Sequence, residues 1–235
     1  VGGKRGREDF SPALEMTGEC ARNDGRGAAE SNVRATLDNG IEKLGLAIDA
    51  SARAALIAYV ELLARWNRSY NLTAIRAPRA MVTRLLLDSL SALPWVAGDR
   101  LLDIGSGAGI PGLAFAIVRP ELHCVLLDSN GKKTRFCVQA VNELGLANVE
   151  VVCARLADYA PGVPFDTVVS RAALGLETLL AASLNLLAPD GRLLAFKGPQ
   201  AEAEFVTLGA AGTIERLYVP GLDAERRLVV CPRSG

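Results

Sequence analysis

The chain has 235 residues, half of them hydrophobic but only 5% aromatic, which suits an aliphatic-rich α/β domain with one sizeable core or a core plus a small lobe. Lysine and arginine balance aspartate and glutamate at 26 each, which excludes a protein that grips nucleic acid with its whole surface but leaves room for a local basic patch. No apolar run reaches the length of a membrane span and the N-terminus lacks a signal-peptide pattern, so a soluble, cytoplasmic protein with no membrane partner is expected.

Residues 1–35, rich in Gly, Arg, Glu and Asp without hydrophobic periodicity, read as a poorly ordered leader. Residues 36–98 read as a small helical lobe. Leu56, Tyr59, Val60, Leu63 and Trp66 recur at helical spacing behind an N-cap at Asp49 or Ser51. A second helix opens at Pro78, carries Met81, Val82, Leu85, Leu86 and Leu90, and stops at Pro94. Between Arg65 and Leu87 there are five arginines and no acid, which is either a solvated helical face or a surface for a polyanion.

From residue 99 to 235 strands and helices alternate. Strands are predicted at 100–104, 122–127, 149–153, 166–170, 192–196, 214–219 and 226–231, and helices at 110–118, 131–145, 175–188 and 199–210. That order predicts a doubly wound, Rossmann-like sheet of seven strands, parallel except for an antiparallel edge hairpin formed by the last two. The five cysteines are scattered without a C-x-x-C pair, so neither disulfides nor a metal site is expected. Cys124 and Cys153, in apolar strand-like runs, are expected as buried, reduced thiols.

The most informative stretch is Leu101-Leu102-Asp103-Ile104-Gly105-Ser106-Gly107-Ala108-Gly109-Ile110-Pro111-Gly112. It is a strand that hands over to a helix through a glycine loop, as loops that touch nucleotide-like ligands do. Gly107, Gly109 and Gly112 match the dinucleotide fingerprint. Three features favour S-adenosylmethionine instead. Asp103 stands where a pyrophosphate would be repelled, while an ammonium or sulfonium would be tolerated. The glycine run starts directly after that acid, at Gly105. No second domain large enough for a hydride-transfer substrate follows. In either case Asp128, at the end of the second strand, is the candidate acid for ribose hydroxyls.

The crevice beyond carries cations: Arg171 after the fourth strand, Lys197 after the fifth, and Arg155 after the third. No Asn/Asp-Pro-Pro-aromatic amine acceptor and no Pro-Cys nucleophile is present. Arg171 and Lys197 are therefore the catalytic candidates. Two cations beside a cationic donor call for an anion, which a phosphate-bearing substrate would supply; alternatively Arg171 pairs with Asp103 or Asp128 and only shapes the pocket. A ring nitrogen with a free lone pair, such as guanine N7, needs no general base, and positioning supplies most of the help.

Trp66-Asn67-Arg68-Ser69-Tyr70-Asn71-Leu72-Thr73, then Leu87-Asp88-Ser89, the 103–112 loop, Leu127-Asp128-Ser129, Ser170-Arg171-Ala172 and Phe196-Lys197-Gly198 together resemble, in order and spacing, the bacterial small-subunit ribosomal RNA methyltransferase G family, also called glucose-inhibited division protein B. The resemblance spans about residues 36–232. It implies a class I S-adenosylmethionine-dependent fold and methylation of N7 of a guanine in the 530 loop of 16S ribosomal RNA, with low-level streptomycin resistance on loss of function. It implies cofactor contacts at Gly105, Ile110, Leu156, Ala157 and Arg171; Asp103, Ser106, Gly107, Gly109 and Asp128 complete the expected cofactor set. Arg65, Arg68, Asn71, Arg76, Lys132 and Arg155 are the expected RNA contacts. The partner is 16S ribosomal RNA, the 30S subunit or its assembly intermediate, and the chain is expected to be a monomer. Three positions depart from the family: Leu85 stands where a histidine is frequent, Ala157 where an acid is common, and Asn130 where an apolar residue is common.

Overall fold

The computed structural model describes residues 31–233 except 173 and 210. Most of the expected leader, and Cys20 with it, lies outside the described residues. Helix α1 covers residues 31–43 of the described part and so includes residues 31–35. Helix α2 (Ala50–Tyr70) is capped by Asp49, whose Oδ1 accepts from the amide of Ala52 at 2.8 Å and the hydroxyl of Ser51 at 2.7 Å. It ends at Asn71 in the left-handed conformation, φ 50°. Its residues Leu56, Tyr59, Val60 and Leu63 are buried at the expected helical spacing.

Helix α3 (78–90) is a composite rod. It opens as an α turn at Pro78–Met81, widens into a π-helical stretch at Val82–Leu87, and closes as α at Asp88–Leu90. In the π register the amide of Asp88 donates to the carbonyls of Thr83 and Leu85 and skips that of Arg84. π turns are rare and concentrate at functional sites. Sequence periodicity alone did not distinguish this stretch from ordinary α-helix.

The sheet follows: β1 (Arg100–Ile104), β2 (His123–Asp128), β3 (Val149–Cys153), β4 (Phe165–Ser170), β5 (Leu187–Lys197), β6 (Thr213–Leu217) and β7 (Arg226–Pro232), in the order β3-β2-β1-β4-β5-β7-β6. β1 to β5 pair in parallel, while β7 runs antiparallel to both β5 and β6. The predicted edge hairpin is therefore present, with β7 slotted between β5 and β6. Helices α4 (Gly112–Val118) and α5 (Gly131–Leu144) cover one face; α6 (Leu176–Leu186) and α7 (Ala201–Leu208) cover the other.

Several boundaries differ by a few residues from those expected, and two of the differences have clear local reasons. The helix expected from 175 to 188 stops at Leu186 because Leu187 already pairs with Phe165; the register then shifts before Thr167 meets Arg192. The helix expected from 110 begins at Gly112, since the glycine loop continues through Ile110. Cys124 is buried as expected, but Cys153 is exposed, because β3 is the edge strand and its end is open.

Side chains on β1 alternate between the two faces. Leu102 and Ile104 enter the α6 side, and Leu101 enters the α4 side. The cluster on the α4 side does not stop at the sheet's own helices. It runs through α2 and the rod to Leu37 and Ile41 of α1, so the helical lobe and the sheet share one core.

Candidate active site

The glycine loop folds back over β2. The amides of Gly105 and Ser106 both donate to the carbonyl of Leu127, at 2.8 and 3.1 Å, and the amide of Gly107 donates to Asp128 Oδ2 at 2.9 Å. The Tyr59 hydroxyl of α2 donates to the carbonyl of Ala108 at 2.8 Å, which ties the helical lobe to the loop. Gly105 has φ +70°, and a Cβ there would lie 2.8 Å from that of Ala172, so both backbone shape and space require glycine.

These bonds bear on the choice between ligands. The first three amides of the loop are already used internally. The first amide of α4, at Gly112, is taken by Asp103 Oδ2 at 2.8 Å. A pyrophosphate would therefore find a carboxylate at the helix N-terminus instead of free donors. The arrangement suits a nucleoside ligand without phosphate.

A cavity of about 550 Å³, in the range of small-molecule sites, opens in front of the loop. Of the expected cofactor residues, Gly105, Ser106, Gly107, Ile110, Asp128, Leu156 and Arg171 line it. Asp103, Gly109 and Ala157 are not among its lining residues. The alternation of β1 turns Asp103 toward α4, beneath the loop, where it is wholly buried. Its role here is to anchor the start of α4, not to face an ammonium as the sequence argument supposed. Burial pushes its carboxyl up to about 7, against the opposing effects of the Gly112 amide and Arg171, and its Oδ1 has no partner among the described residues. Asp128 holds the loop with one oxygen and takes the amide of Asn130 at 2.8 Å on the other, and each oxygen retains capacity for a second donor.

Leu72 and Leu85 from the lobe line the cavity together with Leu156, and the hydroxyl of Ser106 has no partner among the described residues. Apolar walls, one carboxylate and a glycine cradle fit S-adenosylmethionine. Leu85, the departure from the family histidine, thus faces this cavity. Asn130, another departure, caps α5 by accepting from the amides of Lys132 and Lys133.

A second cavity, about 600 Å³, adjoins the first and shares Arg171, Ala172 and Leu174 with it. Lys197 lines this second cavity only, so the two catalytic candidates come together there. Both are already paired within the protein. Arg171 Nη2 lies 3.1 Å from Asp88 Oδ2 and donates to the carbonyl of Arg84 at 2.7 Å, the carbonyl that the π register skips. Lys197 Nζ pairs with Glu204 at 3.1 Å and donates to the carbonyl of Leu174 at 2.9 Å. The protein thus supplies part of the negative charge that these cations call for, and the partner of Arg171 is Asp88 rather than Asp103 or Asp128.

Asp88 is 2% exposed at its side chain and also receives Arg226 Nε at 3.1 Å. Burial raises its pKa, and the two guanidiniums oppose that rise. Asp88 and Arg226 escaped the sequence reading as site residues. The Leu87-Asp88-Ser89 motif was the available signal for the first, and nothing marked the second.

The expected RNA contacts divide. Arg68 and Lys132 are exposed, with no side-chain partner among the described residues. Arg65 is exposed but pairs with Glu143 at 3.0 Å. Arg155 lines the first cavity. Arg76 turns back on its own chain, donating to the carbonyl of Asn67 at 2.8 Å and to Asn71 Oδ1 at 2.7 Å. Buried Asn67 donates to the carbonyls of Thr73 and Ile75 at 3.0 Å and accepts from the amide of Thr73 at 2.9 Å. This network shapes the turn that carries Leu72 and Thr73 to the first cavity. Arg76 and Asn71 therefore have a structural use that the charge pattern concealed.

The chain matches the family model described as rRNA small subunit methyltransferase G over residues 52–229. The Ribosomal RNA small subunit methyltransferase G of Alkalilimnicola ehrlichii is 52% identical over 196 residues, 82% of this chain and 89% of that protein. The protein of the same name from Pseudomonas aeruginosa is 46% identical over 202 residues, 84% of this chain and 94% of that one. The fold is shared with the S-adenosylmethionine-dependent methyltransferase SibL (TM-score 0.54, 18% identity, 92% of this chain and 76% of that one). It is shared too with Burkholderia thailandensis 1,6-didemethyltoxoflavin-N1-methyltransferase (TM-score 0.53, 14% identity, 81% and 93%). With its 3-2-1-4-5-7-6 sheet, its phosphate-averse loop and relatives that match most of its length, the chain belongs to the rRNA small subunit methyltransferase G family and is an S-adenosylmethionine-dependent enzyme.

Proposed function

We propose that this enzyme methylates N7 of a guanine in the 530 loop of 16S ribosomal RNA, acting as a monomer in the cytoplasm on the RNA within the 30S subunit or its assembly intermediate. Among the described residues no helix is long and apolar enough to cross a membrane.

One observation carries the choice of acceptor. Both carboxylates lining the second cavity, Asp88 and Glu204, are held by cations. Neither stands unpaired as a general base, and guanine N7 needs none, since it carries no proton and its lone pair attacks directly. S-adenosylmethionine supplies an electrophilic methyl group. The protein's share of the work is positional. Asp128 offers its remaining lone pairs to ribose hydroxyls, while Leu72, Leu85 and Leu156 exclude water. Arg171, fixed by Asp88 and the Arg84 carbonyl, stands where the two cavities meet.

The test is mass mapping of 16S ribosomal RNA from a strain lacking the enzyme, followed by incubation of its 30S subunits with the purified protein and S-adenosylmethionine. The expected result is one unmethylated guanine in the 530 loop, restored at N7. Unchanged methylation in the deletion strain would overturn the proposal, and transfer to a small acceptor without transfer to RNA would redirect it.

A further inference from the structure

Thr83 to Asp88 of the rod touch three different cavities. Leu85 lines the cofactor cavity, and Asp88 lines the second. Thr83, Arg84 and Leu87 line a third, about 710 Å³, between α1, the rod and the connection after β6 at Pro220 and Gly221. This third cavity contains none of the residues expected to bind cofactor or RNA.

Its chemistry has one sign. Lys43, Arg79 and Arg84 line it, and no carboxylate does. All three cations are exposed, and none has a side-chain partner among the described residues. Asn32, Asn39 and Thr83 add neutral hydrogen-bonding groups. Uncompensated cations with amides and a hydroxyl between them match a chain of phosphates and sugars better than a single anion. The acidic residues nearest in sequence are turned elsewhere or absent from the lining: Asp38 pairs with Arg53 at 3.0 Å, and Glu42 does not line the groove.

The groove is also wired to the site. Arg84 lines the groove while its carbonyl, skipped by the Asp88 amide, accepts from Arg171 at 2.7 Å. We propose that this groove seats the sugar-phosphate backbone of the RNA strand flanking the target base, with Lys43, Arg79 and Arg84 as the phosphate contacts. The inference rests on the assignment of RNA as substrate. It moves the principal RNA contacts of the arginine-rich stretch from Arg65 and Arg76, which are paired within the protein, to Arg79 and Arg84.

The test compares wild type with Lys43→Ala/Arg79→Ala, and with Lys43→Gln/Arg79→Gln as a second variant that keeps more of the side chain. Arg84 stays intact, so the backbone contact to Arg171 is undisturbed. Binding to a 16S ribosomal RNA transcript is read by fluorescence anisotropy across salt concentrations, independently of methylation, and cofactor binding by calorimetry confirms folding. Expected are RNA affinity reduced at least tenfold, unchanged cofactor affinity, and a salt slope shallower by about 1.4, at ~0.7 for each lost single-strand phosphate contact. RNA affinity and salt slope equal to wild type in both variants would overturn the groove assignment even if wild type methylates guanine N7. Conversely, the shallower slope in an enzyme that leaves N7 unmethylated would uphold the groove while sinking the acceptor. Weakened binding to 30S subunits with unchanged binding to the bare transcript would mean that the groove meets an acidic protein segment, which also overturns the proposal.

Discussion

Arg171 is held to Asp88 across 3.1 Å, and this single ion pair joins the carboxyl end of β4 to the helical rod. Because Asp88 also receives Arg226, one buried carboxylate orders two guanidiniums at the second cavity. Asp88→Asn is expected to destabilise the fold by about 2–3 kcal/mol, toward the low end for a broken buried pair since both guanidiniums keep some solvent. Melting temperature should fall, and kcat should fall by more than cofactor affinity does. A variant with wild-type kcat would show that Arg171 does not need this anchor.

Asn67 should matter to cofactor binding although it does not line the cavity. Asn67→Ala removes three partly buried hydrogen bonds that shape the turn carrying Leu72 and Thr73. A stability loss of about 2–4 kcal/mol is expected from the orphaned backbone groups. Calorimetry at a temperature where the variant remains folded should also show weaker binding of S-adenosylmethionine. Unaltered affinity would confine the motif to stability.

Asp128→Ala tests the ribose contact and the loop together, because the same carboxylate holds the Gly107 amide. A loss of roughly 1.5–3 kcal/mol in S-adenosylmethionine affinity is expected from charge-assisted bonds. Wild type should show no binding of a nicotinamide dinucleotide in the same calorimeter. Appreciable dinucleotide binding would contradict the closed set of loop amides.

Asp103 predicts a pH dependence of stability. Its carboxyl is raised from an ordinary 3.8 to about 7 in the folded chain. Between those values the folded state keeps a proton that the unfolded state releases. This group's contribution therefore falls as pH rises from about 4 to 7 and levels off above that. Glu204, lowered chiefly by the amide of Leu176 and further by Lys197, acts in the opposite sense, but below the ordinary carboxylate range. Urea midpoints measured from pH 5 to 8 should decline in wild type and stay flatter in Asp103→Asn. Parallel curves would refute the assignment.

Much of this molecule could be read before any coordinates. Alternating apolar runs and glycine-marked turns specify the strand order class, and the 103–112 loop with Asp128 specifies a nucleoside site. What could not be read is which charges meet. Asp88 and Arg226 are 138 positions apart, and Arg171 reaches a carbonyl 87 positions before it. A run of arginines likewise conceals that Arg76 bends inward while Arg79 and Arg84 do not. The π turn is invisible to periodicity because its apolar residues satisfy a helical pattern either way. Asp103 misled for a simpler reason: an acid next to a ligand loop looks like a contact, and only the strand's alternation sends it underneath.

The shared core of lobe and sheet has a further consequence. Leu37 and Ile41 belong to the same apolar cluster as Leu101 and Phe115, and Tyr59 is bonded to the glycine loop itself. Melting is therefore expected as one cooperative transition, and the sheet cut loose at residue 99 would expose the face on which α2 lies. In this architecture the helical part is not an interchangeable adaptor for choosing substrates. Its apolar residues share a core with the sheet and its Tyr59 holds the glycine loop, so the two halves are expected to change together.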